Sequence, residues 1–158
     1  MRIKVISLRI LAFGFLGLLL ISCITSNAAN RTTDTRSTQF ATDSEKLAFL
    51  KQYLTMSSAV EAAEYHIVYH DNSSGGVPGP SDWDIQVVLK MAPEDLILWT
   101  VDMQPAAPEA VELTWGYSLL PAEPRWKIEA QPLVYTRANV VVAVFPQAGI
   151  LFKRVWTE

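Results

Sequence analysis

The most confining feature of the chain is a run of six residues with no polar side, Val140-Val141-Val142-Ala143-Val144-Phe145. β-Branched residues favour a strand, and a strand apolar on both faces belongs inside a sheet covered on both sides. Pro146-Gln147-Ala148-Gly149 then makes a tight four-residue turn, and residues 150–156 return as a partner strand. Two further segments read as strands. In residues 83–91, Ile85, Val87, Leu89 and Met91 alternate with Asp84, Gln86 and Lys90, the pattern of a half-exposed strand. In residues 65–69, Tyr65, Ile67 and Tyr69 are expected to face the core, with His66 and His70 facing solvent.

Helical signals stand on either side of this hairpin. Thr42-Asp43-Ser44-Glu45 has capping-box chemistry, and Leu47, Leu50 and Leu54 recur at helical spacing, which predicts a helix over residues 43–55. Ala92-Pro93-Glu94-Asp95 opens a second helix, with a proline in the first turn and two acids where the helix dipole favours them. Residues 111–117 alternate like a short strand, and residues 126–129 offer another. Together these elements predict an α+β fold, an antiparallel sheet of about four to six strands with two helices packed on one face. The five tryptophans and five tyrosines supply a core for one globular domain over residues 43–158 without disulfides.

The N-terminus carries an address. Arg2, Lys4 and Arg9 precede an uncharged apolar block at residues 10–21, and at twelve residues it suits a signal-peptide core better than a span, which needs roughly 20. The block ends in Leu20-Ile21-Ser22-Cys23. This resembles the lipobox of bacterial lipoproteins cleaved by signal peptidase II. The resemblance covers the export segment alone, residues 1–22 and the cysteine after them. It implies that Cys23 is lipidated, becomes the new N-terminus and anchors the protein through acyl chains. In that family Asp after the cysteine favours inner-membrane retention; Ile24 here implies the periplasmic face of the outer membrane. Cys23 is also the single cysteine of the chain, which lipidation would explain. An ordinary secretory cleavage after Ala28 is the alternative.

Residues 23–42 are rich in Thr, Ser, Asn and Ala and read as a flexible tether between lipid and domain. Residues 1–22 carry three of the thirteen basic residues and none of the sixteen acidic ones, so the mature chain holds ten Lys or Arg against sixteen acids, a net charge of −6. That balance, without a basic cluster, argues against nucleic-acid binding and against docking on anionic lipid headgroups.

For chemistry, the conspicuous stretch is residues 72–81, which hold three Gly, two Pro and three Ser and join the first two strands. Asn72, Gly75, Gly76, Pro78, Gly79 and Pro80, with Asp82, Trp83 and Asp84 after them, form a candidate binding loop. It is longer than the two to five residues usual in hairpins, and prolines stiffen it. Asp71, Asp82 and Asp84 flank its ends, so closing the hairpin is expected to bring them together, as calcium ligands or as a hydrolase's acid–base pair. Asp at turn ends is equally ordinary capping chemistry. His66 and His70, four apart in a strand, are separated by about 13 Å, too far to share a zinc ion with Zn–N bonds of about 2.0–2.1 Å. No Gly-x-Ser-x-Gly elbow is present, and Gly75-Gly76-Val77-Pro78-Gly79 lacks the lysine of a phosphate loop. The sequence therefore predicts an envelope lipoprotein with a non-catalytic domain, with neither cofactor nor metal, that binds a protein or envelope component. The alternative is a calcium-binding protein or hydrolase using Asp71, Asp82, Asp84 and His70.

Overall fold

The computed structural model describes residues 32–71 and 81–157. They form an α+β fold around one seven-stranded antiparallel sheet, in the order β1-β2-β3-β7-β6-β5-β4. The strands are β1 (Thr32–Arg36), β2 (Ala62–Asp71), β3 (Ser81–Lys90), β4 (Gln104–Ala106), β5 (Leu133–Arg137), β6 (Val140–Phe145) and β7 (Ile150–Trp156). β6 and β7 are the expected hairpin, joined by a 3-10 turn at Pro146–Ala148. Gly149 ends that turn at φ +60, and a Cβ there would come 2.5 Å from the Met91 carbonyl oxygen. Only glycine meets both demands.

β6 is covered on both sides, as its composition required. Val140, Val142 and Val144 join one core with Tyr65, Ile67, Ile85, Val87, Leu89 and Leu151. That face is covered by helix α1 (Asp43–Leu50) through Leu50, and by a 3-10 turn at Pro93–Trp99 through Leu96 and Trp99. Ala143 and Phe145 join a second core with Ala62, Val88, Ile150 and Phe152, closed by Trp115 and Trp126. The two expected helical segments thus share one face, and a further covering lies on the other. The covering of the second face comes from residues 111–117, expected as a strand. Instead they lead into a short helix, α2 (Thr114–Leu119). The Glu112 carboxylate accepts from the Thr114 N–H, and the Trp115 indole donates to the Glu112 carbonyl, so local bonds turn the chain. Gly116 lies so close to Phe152 that a Cβ would fall 2.2 Å from that ring. Alternation over seven residues did not separate strand from helix; close packing on Phe152 did.

The sheet is one strand wider than the upper expectation, partly because the domain begins earlier. Part of the expected tether, from Thr32 onward, is folded: β1 pairs with β2, Ser37 is buried, and the Phe40 ring lies 5.0 Å from that of Phe49. Thr and Asp, read as linker composition, here suit an edge strand with a solvated face. β4 forms the other edge, where Pro105 needs no ladder donor. The capping box of α1 forms between Thr42 and Glu45, though the α-helix stops at Leu50 and continues as turns to Leu54. The 93–99 segment is a 3-10 helix with Pro93 in its first turn. Trp126 ends another 3-10 turn at Pro124–Trp126, in place of the expected strand at 126–129.

Candidate functional site

Cys23 and the signal segment, together with Asn72, Gly75, Gly76, Pro78, Gly79 and Pro80, lie outside the described residues. The ends of the hairpin do not. β2 pairs with β3 from Ala62 opposite Lys90 to Asp71 opposite Ser81, so Asp82, Trp83 and Asp84 belong to β3 itself. Paired residues share a face and neighbours alternate. Asp82, opposite His70, and Asp84, opposite Val68, therefore lie on one face, while Asp71 lies on the other with Tyr69 and Trp83. The expectation that closing the hairpin would bring the three carboxylates together is corrected by the pleat. Asp84 is also engaged: the Arg154 Nε and Nη2 donate to its two oxygens at 2.9 and 3.0 Å, and Gln86 donates at 2.8 Å. A cation would have to compete with that two-pronged pair.

The histidines sit in β2 on the polar side of the sheet, as expected, and each bonds to β1. His66 Nε2 lies 2.8 Å from Asp34 Oδ1, and His70 Nδ1 lies 2.9 Å from Thr32 Oγ1. Among the described residues, no three His, Cys, Asp or Glu side chains gather around a common point suited to a metal ion.

The opposite face at this end of the sheet is aromatic. Trp83 is 37 % exposed, and its ring stands 4.9 Å from Tyr69 and 6.5 Å, edge-on, from Tyr53. Tyr53 continues the series to Phe49 at 5.1 Å. Beside Trp83 opens a cleft of about 270 Å³, lined by Gln52, Tyr53, Ile85, Val155 and Trp156. Two bonds hold its floor: the Trp83 N–H donates to Thr157 Oγ1 at 2.7 Å, and the Thr157 N–H donates to the Trp83 carbonyl at 3.0 Å. Trp156 meets the cleft only at its strand end: it pairs with Asp84, and its ring stands on the polar face, 5.5 Å from Arg154. The walls are apolar and planar with an amide at the rim, a surface for contact through burial and stacking. Of these side chains only Trp83 belongs to the candidate loop read from the sequence. Tyr53 falls within the helical segment expected at 43–55, and Trp156 stands at a strand end with no motif around it.

A second cluster went unnoticed in the sequence. Glu64, 5 % exposed, accepts from Ser37 Oγ at 2.5 Å and pairs with Lys46 Nζ at 2.6 Å. Next to it, burial and the Glu64 charge push the Tyr65 hydroxyl up to about 12, and that hydroxyl has no hydrogen-bond partner among the described residues. Both carboxylate oxygens of Glu64 are taken, one by the segment after β1 and one by α1. The cluster is a clasp that ties these elements to β2. The one signal for it was an acid amid the apolar residues of Ala62-Ala63-Glu64-Tyr65.

No protein-family model matches the chain, and no match to a characterised protein or to a solved structure was found.

Proposed function

We propose that the chain is a lipid-anchored envelope protein whose domain acts by binding and not by catalysis. Its contact surface is the end of the sheet from which the 72–80 segment departs. The observation that carries this reading is the cleft beside Tyr53 and Trp83, an exposed aromatic site next to the segment that the sequence marks out. Exposed Trp and Tyr in a recess are the usual anchors of contact surfaces. The Thr32 hydroxyl that bonds His70 is exposed and on the other face of the sheet from the cleft, and Asp84, the acid fixed best in place, is held by Arg154. Anchoring rests on the resemblance around Cys23 to the lipoprotein signal, with the outer membrane's periplasmic face as the expected site. No helix among the described residues is long and apolar enough to cross a membrane.

The test uses the full chain in cells. After chemical cross-linking, the tagged protein is captured from envelope extracts alongside Trp83→Ala and a variant lacking residues 75–80. A specific envelope component lost in both supports the reading; equal capture by all three forms refutes the placement. For the anchor, Cys23→Ser should lose acyl mass and membrane retention, and unchanged retention would overturn it.

A further inference from the structure

β1 begins at Thr32, inside the expected tether, and this shortens the connection to the proposed anchor. Eight residues, 24–31, separate Cys23 from β1. Fully extended they reach about 30 Å, and as a flexible coil their mean span is about 17 Å. Where they arrive matters as much as their length. Thr32 pairs with His70, and His70 pairs with Asp82, the neighbour of Trp83. Two strand spacings, about 10 Å, therefore separate the entry of the tether from the aromatic cleft. The anchor joins the domain at the same end of the sheet as its exposed Trp and Tyr.

From this we infer that the cleft end docks on the lipid–water interface of the bilayer that holds the protein, with Trp83 and Tyr53 seated at headgroup level. The inference deepens the proposed function and rests on lipidation of Cys23. Trp and Tyr prefer that depth because one part of the ring system is apolar and the other hydrogen-bonds. A few aromatic side chains bind a membrane weakly by themselves. With the acyl chains already inserted, docking becomes an intramolecular step at high effective concentration, so weak partition suffices. The acidic balance selects the lipid: a mature chain of net charge −6 is repelled by anionic headgroups and suits a zwitterionic surface. A protein partner in the cleft is the competing occupant.

The experiment uses the full lipidated protein in vesicles of phosphatidylethanolamine and phosphatidylcholine with brominated acyl chains, which quench tryptophan on contact. Mass spectrometry first establishes acyl chains on Cys23; their absence overturns the anchor and this inference with it. With acyl chains present, the parent should be quenched. Trp83→Phe should lose at least half of that quenching, while Trp99→Phe, at a buried position, should keep it. Equal quenching of parent and Trp83→Phe, or none in either, overturns the docking. Were the lipidated protein unquenched yet able to capture an envelope protein through Trp83, that protein would be the occupant of the cleft.

Discussion

Two halves of one sheet face differ sharply. Toward the β6–β7 turn, Ala62, Val88, Ala143 and Phe152 lie under α2 and Trp126. Toward the 72–80 segment, the same strands on the same side present Asp34, His66, Asp84, Gln86 and Arg154, linked by ion pairs and hydrogen bonds and open to solvent. In β7 the change takes two residues, from Phe152, 0 % exposed, to Arg154, whose side chain is 35 % exposed. The covered half holds this face of the fold, and the uncovered half leaves the strand ends open at the end of the sheet where, on the other face, the proposed contact surface lies.

Substitutions along these strands should reproduce the contrast. Phe152→Ala removes a ring packed on Trp115, Tyr117 and Phe145, and should lower unfolding free energy by about 3–5 kcal/mol in urea titration. Glu64→Gln leaves the Lys46 ammonium, with its side chain 14 % exposed, short of a counter-charge; a loss of about 3 kcal/mol is expected. Pairing that change with Lys46→Met should recover much of it, whereas additive losses would show the clasp to be no coupled unit.

The pH effect of Tyr65 is of middle size and confined to alkali. Its folded-state pKa, about 12, stands above the ordinary 10.0, so the folded chain holds the proton more tightly. Stability is therefore complete below pH 10 and falls as pH rises toward 12, by at most about 3 kcal/mol. Tyr65→Phe should match the parent at pH 7 within about 1 kcal/mol and lack this alkaline decline in a pH series of thermal melts. A decline of equal size in the variant would assign it to another group. The smallest effect belongs to the open half. Arg154→Ala breaks the pair with Asp84 but should cost no more than about 1 kcal/mol. A loss as large as that of Phe152→Ala would abolish the distinction between the halves.

Much of the fold was legible because the strongest patterns were long or unambiguous. The two-sided apolar run of β6, the alternation of β3 and the capping box at Thr42 each describe an element that forms. What escaped notice depends on partners distant in sequence. β1 is polar because it lies at an edge on the open half, and nothing local separates that from a linker. α2 is a helix because Gly116 lets it close on Phe152. The candidate site was half legible: the stretch ending in Asp82-Trp83-Asp84 marks the end of the sheet where the cleft opens. The pleat decided which of those side chains meet, giving Trp83 to the cleft and Asp84 to Arg154. Tyr53 joined Trp83 from 30 positions away, a convergence no local motif records.

The central claim is that the contact surface lies at the aromatic end of the sheet. It is tested most directly by a photo-cross-linking amino acid placed in living cells at position 83, with position 97 as control. Ile97 is 64 % exposed and apolar, but it sits in the 3-10 turn that packs against the turn at Pro146–Ala148, at the other end of the sheet. Irradiation should give a discrete lipid or protein adduct from position 83 and none from position 97. An adduct from position 97 with none from position 83 would contradict the account.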